Sequence, residues 1–298
     1  FEKELKKIYD FLKINIIFTS SSSISLHELS VDLSRRVRIL FVPSFQFREY
    51  LFFDKGITLP SFSFSDFLDA SKAREFYGKS MHVENLFDGF LQGRNYAFTL
   101  SKTDFIPLFR SVLERIITND IVLNGRASPE EALEIRKMLE FIGKSHSEGI
   151  SYSSLSKNLG ASRYKIEKYV DLMEKAFVLN RVLPKGSNVL REPKILFSLP
   201  YRLLYKDYRE CIGALREDFF VESVRWLGLG VDYLKSKRGE KTPDYLVKKT
   251  VFEIGGFSKG FDQFKGFREE KKIILTHPGR LDKLRRPLFF IGLVENDN

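Results

Sequence analysis

RGEKTPDYLVKKTVFEIGG (residues 238–256) decides how the C-terminal third of this chain folds. Its runs PDYLVKK and TVFEIGG are rich in β-branched and aromatic residues and read as two neighbouring strands. They carry Asp244 and Glu253. Two carboxylates at adjacent strand positions can share Mg²⁺, which polarises a phosphate ester and lowers the pKa of a bound water. Just upstream lie a further strand-like run, VDYLKS, and a long helical segment, CIGALREDFFVESVRWLG. Downstream come a helical stretch, FDQFKGFREEK, and two more strand-like runs, KIILTH and LFFIGLV. Residues 199–298 therefore read as one unit in the order helix, three strands, helix, strand.

Moving towards the N-terminus, Tyr152–Pro184 is the clearest local unit, within a domain spanning residues 126–198. SYSSLSKNLG is a short helix ending at Gly160, Ala161 and Ser162 turn the chain, and RYKIEKYVDLMEKAF is a second helix. Ile166, Tyr169, Val170, Met173 and Phe177 repeat there at helical spacing. VLNRVLP and EPKILFS follow as strands joined by KGSN. Helix, tight turn, helix and a two-stranded wing is a winged helix-turn-helix pattern. With the apolar set inward, Arg163, Tyr164, Glu167 and Lys168 are exposed, and Lys185 and Arg191 flank the wing. Arg163, Tyr164, Lys168, Lys185 and Arg191 are candidates for contacting DNA. Glu167 and Asp171 make that face less than purely basic. The domain opens with Ser128, Pro129 and Glu131, a capping box with proline at the first helical position.

Residues 56–125 read as helices, with Ser65 as a candidate cap and Phe109, Val112, Leu113, Ile116 and Ile117 on one face. Residues 1–55 read as helix, strand, helix, strand. IIF and ILFV suit buried parallel strands. The first ends in Thr19, Ser20 and further serines, and the helix after it ends in Arg35 and Arg36.

Composition narrows the class. With 49 basic and 39 acidic residues, the 298-residue chain carries a net charge of +10, a balance that favours polyanions such as DNA. Arg280, Lys283, Arg285 and Arg286 are the densest part of a basic stretch over residues 265–286. A groove so lined attracts phosphate, although charge runs are often solvated helix faces. A single cysteine excludes internal disulfides and cysteine-rich zinc sites, and fits a cytoplasmic setting. The four histidines are scattered without ligand spacing. No run reaches the roughly 20 apolar residues of a membrane span, so no membrane partner is expected.

In order and spacing, FTSSSS, LSRRVRILFVPSFQFREYL, ERIITNDI, SYSSLSKNLGASRYKIEKYVDLMEKAF, EPKILFS, LREDFFVESV and TPDYLVKKTVFEIGG resemble archaeal-type AAA ATPases with a C-terminal winged helix and a PD-(D/E)XK nuclease-like domain. The resemblance implies a multi-domain α/β and α+β chain. Its parts are a partial P-loop ATPase α/β layer (1–55), a helical lid (56–125), the winged helix (126–198) and a restriction-endonuclease-like αβββαβ domain (199–298). Thr19 and Ser20 would sit at the nucleotide-sensing position, and Arg35 or Arg36 at that of an arginine finger acting in trans. Glu217 would be the extra acid on the helix before the sheet. Two departures stand out. No GxxxxGK[ST] occurs and the chain opens on Phe1, so it reads as the C-terminal portion of a larger ATPase that needs ATP held elsewhere. Gly255 also stands where the family has its lysine, and Lys259 is the substitute within reach.

Three functions follow as expectations. The first is a DNA-associated portion of an ATPase, binding DNA, a homo-oligomer or a full-length ATPase subunit. The second is a Mg²⁺-dependent endonuclease using Glu217, Asp244, Glu253 and Lys259. The third is a regulatory or scaffold protein in which none of these sites is active; a degenerate, non-cleaving nuclease-like site is expected over an active one.

Overall fold

A computed structural model describes residues 2–12, 14–20, 22–32, 36–40, 42–100, 104–145, 150–186, 192–234, 242–265, 267 and 271–296. Its backbone is one seven-stranded mixed sheet flanked by helices. In chain order the strands are β1 (Leu179–Pro184), β2 (Lys194–Phe197), β3 (Val231–Tyr233), β4 (Tyr245–Val247), β5 (Thr250–Gly255), β6 (Lys271–Thr276) and β7 (Arg285–Pro287). Across the sheet they run β2-β1-β3-β4-β5-β6-β7. The β1–β2, β3–β4 and β4–β5 pairs are antiparallel. The β1–β3, β5–β6 and β6–β7 pairs are parallel.

Local chemistry sets the helices in front of this sheet. Ser128 Oγ accepts from Glu131 N, and Ser128 N donates to Glu131 Oε2, which starts the Pro129–Lys144 helix. Tyr152–Leu159 ends at Gly160, whose φ of 64° is the left-handed cap that glycine takes without a Cβ clash. Ser162 then accepts from Lys165 N and opens Arg163–Lys175. β1 and β2 follow as an antiparallel pair, and β1 continues by parallel pairing onto β3.

Among the described residues two large cores and one small cluster, of Val251, Phe264 and Ile274, hold the buried apolar side chains. One large core holds residues from Phe105 to Tyr201 together with Ile24. The other joins residues 47–91 to the Tyr208–Trp226 helix and the C-terminal strands. Phe62 and Phe76 stack there at 3.9 Å, and Phe67 stacks on Phe252 of β5.

Four expected elements differ. Residues 14–20 and 37–40 lie in no strand, so the α/β layer expected over residues 1–55 does not form among the described residues. An isolated parallel strand would leave both rows of backbone groups unpaired. Most side chains of these runs are exposed, Ile17 being 98% and Leu40 73%. LFFIGLV forms the 3₁₀ segment Leu288–Leu293 rather than a strand, buried at every position. Of the helix expected at FDQFKGFREEK, the described residues form one 3₁₀ turn, Asp262–Phe264. Ser63 and Asp69, not Ser65, cap the helices Phe64–Leu68 and Ala70–Ser80.

Candidate functional site: a carboxylate cluster across β4 and β5

The β4–β5 register pairs Tyr245 with Phe252, which sets Asp244 opposite Glu253 one step along. Asp244 N donates to Phe252 O at 3.0 Å, and Ile254 N donates to Asp244 Oδ2 at 2.8 Å. The Asp244 carboxylate is thus pinned to the backbone of the strand carrying Glu253. Opposed side chains on one face of an antiparallel pair lie within contact range. Glu217 comes from the Tyr208–Trp226 helix, and Tyr245 Oη donates to its Oε2 at 2.6 Å.

Basic groups answer these acids. Lys259 Nζ lies 2.5 Å from Glu253 Oε1. Lys194, on β2, pairs with Glu217 and stands 5.1 Å over the Tyr245 ring. Gly255 explains how Lys259 enters. A Cβ on Gly255 would come within 2.7 Å of Lys259 Cδ and 3.0 Å of its Cγ. The space a side chain at 255 would fill is the space the Lys259 stem occupies. Arg216, next to Glu217 on its helix, brings Nη1 to 3.7 Å from a Cβ built on Gly256, while its Nε is buried without a hydrogen-bond partner.

The electrostatics are those of crowded acids in a dry place. Burial, then the charges of Glu217 and Glu253, push Asp244 up to about 8. Burial also raises Glu253, against the hydrogen bond from Lys259. Burial works against the charge on Lys259, and Glu253 more than offsets it, so the ammonium is held above its usual value. Buried Tyr245 is held as a neutral phenol, far above its usual value.

Among the described residues, no three His, Cys, Asp or Glu side chains are grouped closely enough to cage a metal. A two-carboxylate site is a different case, because Mg²⁺ takes one or two carboxylates and fills its shell with water and phosphate. The residues present fit that pattern. Asp244 and Glu253 oppose each other, and Glu253 Oε2 is buried with no hydrogen-bond partner. A cation is the partner that a buried, unsatisfied carboxylate oxygen lacks.

Asp244, Glu253 and Lys259 therefore meet, while Glu217 is tied to β4 through Tyr245 and acts on the two acids only through its charge. The other candidates are dispersed. Thr19 and Ser20 lie in a loop, with Ser22 N donating to Ser20 Oγ. Arg36 is held by Asp10 at 3.0 and 3.1 Å. Arg35 and Arg191 lie outside the described residues. Arg163 pairs with Glu167 and Glu192, and Lys168 with Glu131, so both charges are spent within the chain. Tyr164 is exposed, and Lys185 N donates to Tyr233 O beside the hairpin. Arg280 and Lys283 are exposed, and Arg285 is half-buried against Asp282. Arg286 overturns its expectation as a DNA contact. It is 1% exposed, and its guanidinium donates to the carbonyls of Phe67, Asp282 and Arg285, which lock loops together. Sequence reasoning missed Lys194, Tyr245 and Arg216. Tyr245 sits beside Asp244 in sequence and Arg216 beside Glu217, whereas no local signal marks Lys194.

Residues 95–198 match a family described as a domain of unknown function, DUF8612. Over 278 residues the chain is 29% identical to "Uncharacterized protein MJ1637" of Methanocaldococcus jannaschii, covering 84% of this chain and 58% of that protein. The chain thus spans little more than half the length of that archaeal relative. No solved structure matches.

Proposed function

We propose that this chain hydrolyses phosphodiester bonds in DNA, with a divalent cation such as Mg²⁺ held by Asp244 and Glu253. The observation that carries this reading is Lys259 placed on Glu253 through the space left by Gly255. It puts an ammonium beside the paired carboxylates although the expected lysine position is empty of a side chain. The order of the Tyr208–Trp226 helix, β3, β4, β5 and the parallel β6 supports a PD-(D/E)XK-like unit. The helix pair and hairpin over residues 152–197 support a winged helix in front of it.

The chain's own groups divide the work. Asp244 is fixed by Ile254 N and Glu253 by Lys259, so both carboxylates are oriented before substrate arrives. Lys259 sets a positive charge where negative charge grows on the attacked phosphate. Tyr245 and Lys194 hold Glu217, whose charge bears on both neighbouring acids. A bound Mg²⁺ would supply Lewis-acid polarisation and a water of lowered pKa. Nucleotide chemistry is outside this proposal, because Arg36 is taken by Asp10 and residues 14–20 form no strand.

A second reading is a DNA-holding protein with a degenerate site. It is favoured by the balance in which Lys194 and Lys259 already answer Glu217 and Glu253. One experiment separates the two. Supercoiled plasmid and single-stranded circular DNA are each incubated with purified protein and Mg²⁺. Cleavage of either DNA that Asp244→Ala abolishes supports hydrolysis, and both DNAs left intact at large protein excess support the degenerate site.

A further inference from the structure

The loop that delivers Lys259 to Glu253 also displays two phenylalanines to solvent. Phe257 is 55% and Phe261 41% exposed. Each is faced by a guanidinium, with Arg280 Cζ 4.7 Å from the Phe257 ring centroid and Arg285 Cζ 4.3 Å from that of Phe261. The supports are tied down. Arg280 N donates to Thr276 Oγ1 at 2.8 Å, Arg285 Nη1 to Asp282 Oδ2 at 2.7 Å, and Arg285 Nη2 to Lys259 O at 3.3 Å. Lys259 N turns back onto Gly256 O at 3.1 Å. The same guanidinium that faces Phe261 therefore anchors the backbone of the residue that reaches the acids.

From this arrangement we infer that the 257–261 loop, with Arg280 and Arg285, is a stacking platform for unpaired bases, and that the site acts on single-stranded DNA. The inference deepens the hydrolase reading and rests on it for the choice of DNA. Each ring, faced by a guanidinium, remains partly open to solvent, and a nucleobase covers such a ring at a useful gain. Arginine beside the ring adds a planar cation that stacks and meets phosphate. The charge around the rings suits an anionic chain: Arg280 and Lys283 are exposed, and Asp282 is already bound by Arg285. A continuous duplex hides its base faces within its own stack, so these rings engage only bases that are free. A protein partner would gain less from a surface so rich in cations.

The test measures binding without divalent cation, so that cleavage plays no part. Fluorescence anisotropy compares a labelled oligothymidylate of about 20 nucleotides with an abasic strand, a blunt duplex and an oligouridylate of equal length. The oligothymidylate is expected to bind most tightly. Phe257→Ala with Phe261→Ala is expected to weaken that binding by roughly tenfold or more, with little effect on the abasic strand. Phe257→Trp is expected to keep affinity and show fluorescence quenching on binding, which separates lost stacking from a folding defect. Equal binding of abasic and thymidylate strands, or an unaltered double alanine variant, overturns the platform. Tighter binding of oligouridylate overturns the assignment to DNA. Failure to cleave both the plasmid and the single-stranded circle, with base-dependent binding intact, removes the hydrolase reading alone.

Discussion

Gly255 and Lys259 trade places in space. The glycine leaves a gap at the position that follows Glu253 by two, and the lysine stem, arriving from four residues on, fills it. Gly255→Ala therefore has to push the stem aside and lengthen the contact to Glu253. We expect plasmid cleavage to fall about tenfold or more, with the unfolding midpoint nearly unchanged, because the lysine retreats into solvent. Gly255→Lys combined with Lys259→Ala is expected to regain part of the activity, since the ammonium then approaches the same acids from the position two residues after Glu253. Recovery equal to that of Lys259→Ala alone would contradict the exchange. Asp244 carries a pH signature. Its folded value, about 8, lies above the unfolded one, so folding favours the protonated form. Its contribution to stability is complete below the unfolded value of about 4 and is lost as pH rises through about 8. Asp244→Asn is thus expected to melt higher than the parent above pH 8, with the gap closing near pH 4. Mg²⁺ must displace this proton, so its affinity, read by calorimetry, is expected to rise by up to about tenfold per pH unit between roughly 6 and 8. The pairing of Asp244 with Glu253 was legible, because strand alternation and a short turn fix which side chains oppose each other. Lys194 was not legible: its partner Glu217 lies on a later element, and only the completed sheet brings them together.

At the scale of elements, local rules held at the start of the Pro129–Lys144 helix and missed by two residues at Ser63, which caps where Ser65 was expected. Ser128, Pro129 and Glu131 announced a helix start, and both capping hydrogen bonds are present at 3.2 and 2.9 Å. Ser128→Ala leaves Glu131 N without its acceptor and is expected to cost about 1 kcal/mol, read by urea denaturation. The hairpin of β1 and β2 was equally legible from two short apolar runs around a turn. Runs that are apolar without interruption were not. LFFIGLV is buried from Leu288 to Leu293, and with no polar residue alternating along it, pattern alone cannot separate a strand from a tight helix. IIF and ILFV carry the same ambiguity, and a parallel strand additionally requires neighbours from elsewhere in the chain. FDQFKGFREEK has helical spacing, yet its described part belongs to the loop in which Phe261 is faced by Arg285.

Across the whole molecule, the sheet and the cores cross the boundaries that composition suggests. β1, from the hairpin unit, pairs in parallel with β3 of the C-terminal unit, and residues 47–91 pack into the C-terminal core. Where the two cores meet, Arg202 and Asp218 form an ion pair with side chains 1% and 0% exposed, at 2.5 and 2.8 Å. Phe197 N, at the end of β2, also donates to Asp218, and Arg202 Nη1 reaches Ile142 O in the Pro129–Lys144 helix. The pair joins the last turn of the capped helix, the hairpin and the helix that carries Glu217. Burial raises Asp218 from its usual value and Arg202 opposes it, so Asp218 alone would be an uncompensated buried acid. Arg202→Met is expected to cost about 3–5 kcal/mol, whereas adding Asp218→Leu is expected to recover most of that loss, since an apolar pair of similar volume needs no solvation. Because Asp218 follows Glu217 directly, the single variant is also expected to lower plasmid cleavage by loosening the helix beneath the acids, and the double variant to restore it in part. Urea titrations followed by Trp226 fluorescence and by far-ultraviolet circular dichroism decide whether the pair couples the cores. Coincident curves in the parent that separate in Arg202→Met would show that it does, and curves already separate in the parent would show two cores that unfold independently despite the shared sheet.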